Sequence, residues 1–77
     1  MSLREDILSE LTNGRLWGFE IRERIERRRG FFGRLALALG FYPTIRAMQD
    51  EGVLKVTTEP GGPERAYRPR YYYEIAE

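Results

Sequence analysis

The 77 residues predict an α+β domain in which three helices are followed by a two-stranded β-hairpin. Three observations carry that expectation. Apolar residues recur at helical spacing from Leu3 to Met48, and glycines punctuate those runs at turn-like positions. Two β-branched or aromatic stretches, 53–58 and 70–75, then flank a segment too rich in proline and glycine to pair regularly.

Leu3, Ile7, Leu8 and Leu11 fall on one stripe, so helix one is expected over about 2–12, stopped by Asn13-Gly14. A second helix opens near Gly18 and ends at Gly30. Trp17, Ile21 and Ile25 share one face of it, and Glu20, Arg24, Arg27 and Arg28 stand at pairing distances on another. Trp17 and Phe19 are expected to pack on helix one. The stretch 34–40, Arg-Leu-Ala-Leu-Ala-Leu-Gly, alternates like a strand yet has the propensity of a helix. The expectation is a short strand or extended link at 35–37, then helix three from about 38 or 39 to 51, with Pro43 in its first turn, where no backbone donor is needed. Phe41, Ile45 and Met48 form its buried stripe, and Gly52 supplies a left-handed exit. The loop at 59–69 holds three prolines and two glycines and is expected to protrude and move.

Helix, helix, helix, strand, loop, strand is the layout of a winged helix-turn-helix, here as a single domain over 1–77. With no cysteine and no histidine, the chain has no disulfide, thiolate nucleophile, imidazole base or common zinc site. Ser2 and Ser9 have no base partner, so catalysis, a metal and a cofactor are not expected. No run is apolar for the roughly 20 residues a membrane helix needs, and the first residues show no signal pattern, so a cytoplasmic protein is expected. The net charge of +1 is small, but its distribution is uneven. Six arginines face two glutamates between Arg22 and Arg34, and Arg65, Arg68 and Arg70 lie in a stretch without an acid. Arginine forks match phosphate and guanine bidentately, so both clusters are candidate nucleic-acid contacts.

Ile7-Leu8-Ser9-Glu10-Leu11, Gly14, Trp17-Gly18-Phe19-Glu20-Ile21 and Tyr42-Pro43-Thr44-Ile45-Arg46-Ala47-Met48-Gln49-Asp50-Glu51-Gly52-Val53-Leu54 resemble the PadR family of winged-helix transcriptional regulators. So does the basic run into Tyr71-Tyr72-Tyr73-Glu74-Ile75. The resemblance covers nearly the whole chain. It implies a DNA-binding regulator, usually a repressor, that sets a recognition helix in the major groove and a wing on the flanking backbone. The matching positions are Tyr42, Thr44 and Arg46 on helix three and Arg65, Arg68 and Arg70 on the wing, with Arg28, Arg29 and Arg34 as candidate phosphate contacts. Double-stranded DNA and a second copy of the chain are the expected partners. The sequence ends where family members continue into a C-terminal helical segment that builds their dimer, so a homodimer is expected through helix one or the Leu-Ala face.

One departure from the family supports a different function. Family members carry polar residues just before Tyr-Pro, whereas this chain has Leu37-Ala38-Leu39-Gly40-Phe41. The alternative is therefore a winged-helix protein-interaction module that uses the apolar surface from Leu35 to Phe41.

Overall fold

The computed structural model describes residues 2–66 and 68–77, except for the side chains of residues 31–33, 35, 36 and 65. Its order is α1 (Leu3–Glu10), β1 (Leu16–Trp17), a helical run Gly18–Asp50, β2 (Leu54–Glu59), a 3-10 turn (Pro63–Arg65) and β3 (Arg70–Ile75). Gly30, with φ 77° and ψ −159°, breaks the helical run into α2 (18–29) and α3 (31–50). The architecture is thus α+β, with three helices and a three-stranded antiparallel sheet of order β1-β3-β2.

The start of α1 is set by a reciprocal cap. The Ser2 side chain accepts from the Glu5 backbone, and the Glu5 carboxylate accepts from the Ser2 backbone. Those hydrogen bonds from Ser2 hold the Glu5 carboxyl below its ordinary pKa. At the other end of the helical layer, the Gly52 N–H donates to the Gln49 carbonyl and the Val53 N–H to the Met48 carbonyl. This pattern needs a left-handed residue at its corner, and Gly52 provides it with φ 81°, as its place after helix three predicted.

The turn between α2 and α3 differs from expectation. Residues 35–37 are neither strand nor link, because α3 begins directly after Gly30. A single glycine in a backbone region closed to other residues turns the chain, so no linker is required. Helix propensity then decides the Leu-Ala stretch, and Leu37 joins Phe41, Ile45 and Met48 on the buried stripe. Pro43 consequently lies deep inside α3 rather than in its first turn. The carbonyl it leaves without a donor is that of Leu39, one turn back on the solvent side, where both residues are exposed and water can replace the bond. Gly30→Ala is expected to destabilise the domain by roughly 1–3 kcal/mol, the cost of a strained φ/ψ. A Cβ there meets nothing within 4 Å, so the whole effect is conformational, and a D-alanine at this position should recover the loss in thermal unfolding.

The sheet also differs from the predicted two-stranded hairpin. Leu16 and Trp17 pair with Tyr73 and Tyr72 and add a short third strand. Register places Leu16, Tyr73, Val56 and Leu54 on the face toward the helices, and Trp17, Tyr72 and Thr57 on the opposite face. Trp17 and Phe19 therefore do not pack on α1. Pairing with β3 turns Trp17 outward, and Phe19 is 52% exposed with its ring 5.4 Å from that of Trp17.

Ile7, Leu11, Ile21, Ile25, Leu37, Phe41, Ile45, Met48 and Leu54 form one continuous core. An ionic clamp joins α1 to the end of α2 beside it. Asp6, 5% exposed, accepts from Arg29 Nε at 2.7 Å, and Arg28 meets Glu10 at 2.9 Å. No helix among the described residues is long and apolar enough to cross a membrane.

Candidate nucleic-acid interface

The outward side of α3 carries Tyr42 and Arg46, four residues apart and therefore one above the other. Tyr42 is 53% exposed, with its ring edge-on to the buried Phe41 at 5.1 Å, a contact that fixes its direction. Arg46 is solvent-exposed, 3.8 Å from Asp50. Between this side of α3 and the inward face of β2 and β3 runs an open groove of about 540 Å³. Tyr42, Ile45, Arg46, Gln49 and Asp50 form its α3 wall, and Val56, Thr58, Tyr71 and Tyr73 its sheet wall. Burial, reinforced by Tyr42 and Tyr71, pushes the pKa of the Tyr73 hydroxyl up. The groove thus presents hydroxyls, an amide, a guanidinium and the Asp50 carboxylate, donors and acceptors of the kind that read base edges.

The residues expected from sequence divide clearly. Tyr42 and Arg46 share the groove, whereas Thr44 sits about 160° from Tyr42 around the helix. It lies on the side where Gly40 approaches Leu3 of α1 and is half-buried. Arg28 and Arg29 are neutralised by Asp6 and Glu10 of α1. Arg34 is exposed at the start of α3, 4.0 Å from Glu26. Arg68 is exposed in the loop before β3, Arg70 opens β3, and the side chain of Arg65 lies outside the described residues. Of the apolar surface from Leu35 to Phe41, Leu37 and Phe41 are core residues, and Leu39, 80% exposed, remains at the surface. Leu35 itself lies outside the described side chains.

Charge pairing separates the arginines more sharply than sequence could. Every arginine on the three helices has a carboxylate within 4.0 Å. Among the described residues, Arg15, Arg68 and Arg70 have none, and all three belong to the sheet or its connecting loops. Among the described arginines, those without a carboxylate therefore all lie in the sheet or its loops. Sequence reasoning missed Gln49, Thr58, Tyr71 and Arg15. The first of these was within reach, because Gln49 follows Tyr42 by seven residues and Arg46 by three.

Comparison with known proteins returns no family model, no curated relative and no solved structure that matches the chain.

Proposed function

We propose that this chain is a winged helix-turn-helix DNA-binding domain of PadR type, acting as a transcriptional regulator. In this reading α3 enters the major groove, the β2–β3 hairpin is the wing, and the loop arginines lie on the flanking phosphates. The observation that carries the proposal is the segregation of charge. Helical arginines are paired with carboxylates, while Arg15, Arg68 and Arg70, among the described residues, have none within 4.0 Å and are left for an external anion. Tyr42, Arg46, Gln49 and Thr58 are the base-reading candidates, and Leu39 and Pro43 on the same outward side of α3 suit contact with thymine methyl groups. Two copies bound to one duplex would read two-fold-related half-sites.

The exposure of Leu39 also favours the protein-interaction reading, but on a smaller surface than expected, since Leu37 and Phe41 lie in the core.

Selection from a randomised duplex pool tests the proposal. The expected result is an enriched site with half-sites about 10 base pairs apart, one helical turn of DNA. Arg46→Gln should weaken the selected site by about 1–3 kcal/mol and relax preference at one base position. A pool that yields no enrichment, with a protein that fails to bind duplex DNA at low salt, would overturn it.

A further inference from the structure

The outward face of the sheet, turned away from the α3 groove, carries two cations held in an unusual way. The Arg15 guanidinium lies 4.7 Å from the centre of the Tyr72 ring, and that of Arg70 lies 4.4 Å from the Trp17 ring. Trp17 and Tyr72 are register partners on β1 and β3, so the two stacked pairs stand side by side. Neither guanidinium has a carboxylate within 4.0 Å, although Glu59 stands opposite Arg70 in the β2–β3 register. The Nε of Arg70 is buried against the ring with no hydrogen-bond partner, so stacking rather than hydrogen bonding orients this side chain.

A cation kept for structure gains most from a nearby acid. Two neighbouring guanidiniums held against aromatic rings have instead already given up part of their rotamer freedom, so less is lost when they bind an anion. Phosphate is the ligand that fits, because its oxygens match the planar donor fork. The same uncompensated charge includes Arg68, in the loop that leads into Arg70.

We propose that Arg15 and Arg70 form a second phosphate-binding site on the outward face of the sheet, which takes a phosphodiester of the duplex whose groove α3 enters. This rests on the DNA-binding reading and adds to it a contact from the segment between α1 and β1. The sheet would then meet DNA from both of its faces, with Thr58 and Tyr71 on one and the two stacked arginines on the other.

Trp17 is the sole tryptophan, so its emission reports on Arg70 directly. Titration with a 20-base-pair duplex should change that emission with the same midpoint as fluorescence anisotropy of the labelled DNA. Arg15→Gln, at an exposed residue, and Arg70→Gln should each make the plot of log affinity against log salt shallower by about 0.9. Arg15→Lys should restore much of the slope. Far-UV circular dichroism of each variant checks that the fold is kept.

Unchanged slopes and silent Trp17 emission, in a protein that still loses DNA affinity on Arg46→Gln, would overturn the second site and leave the DNA reading standing. Failure of the unaltered protein to bind duplex would overturn both. A Trp17 response to polyglutamate as strong as to duplex would assign the site to acidic protein segments and overturn the phosphate assignment.

Discussion

Leu37→Ala is expected to destabilise the domain by about 2–5 kcal/mol, the usual cost of a cavity left by a fully buried leucine. Leu39→Ala, two residues further on, should stay within about 0.5 kcal/mol. The contrast comes from burial, with Leu37 at 1% exposure and Leu39 at 80%. Leu37 touches the same core as Ile21, Ile25 and Phe41, so its loss cannot be absorbed by one loop. A domain of this size has a net stability of only about 3–5 kcal/mol, so Leu37→Ala should leave much of the protein unfolded at 37 °C. Urea denaturation followed by circular dichroism reads both variants. A neutral Leu37→Ala would return this residue to the surface and restore the full apolar patch at 35–41 as a docking candidate.

Duplex affinity is expected to fall about 40-fold between 50 and 200 mM salt. Three phosphate contacts, from Arg15, Arg68 and Arg70, predict a log–log slope of about −2.7 at roughly −0.9 per contact. The contrasting variant is Arg28→Gln. Arg28 is paired with Glu10 at 2.9 Å, so its loss should leave the slope unchanged. It should instead weaken the hold of α1 on α2 and lower the unfolding midpoint. Affinity measured by anisotropy across a salt series separates the two classes of arginine. A slope near zero in the unaltered protein would mean that the hairpin-side cations meet no phosphates.

Local signals in the sequence were legible where the relevant partners are close in the chain. The α1 stripe, its stop near Asn13-Gly14, the Phe41, Ile45 and Met48 stripe and the left-handed Gly52 all follow from residues within two turns of one another. The start of α3 was not legible, because Leu-Ala alternation satisfies both a strand and a helix. What settles it is the backbone of Gly30 and the contact of Leu37 with residues of α1 and α2. Strand β1 was invisible for the same reason, since two residues become a strand only through pairing with Tyr72 and Tyr73 more than fifty positions later.

The candidate site divides along the same line. Tyr42, Thr44 and Arg46 were the α3 positions that the family resemblance implied, and of these Tyr42 and Arg46 line the groove. Thr58 and Tyr71 were not legible, because their place depends on how the hairpin lies against α3. Arg28 and Arg29 stood as candidate phosphate contacts because the acids that neutralise them, Asp6 and Glu10, come from another helix. Arg15 gave no signal, because its partner is an aromatic ring on β3, far along the chain.

Amide chemical-shift mapping of the labelled protein with a short duplex tests the central claim most directly. The largest shifts are expected at Tyr42, Arg46 and Gln49 on α3 and at Thr58 and Tyr71 across the groove, with α1 unperturbed. Shifts confined to α1, or none at all at low salt, would contradict it.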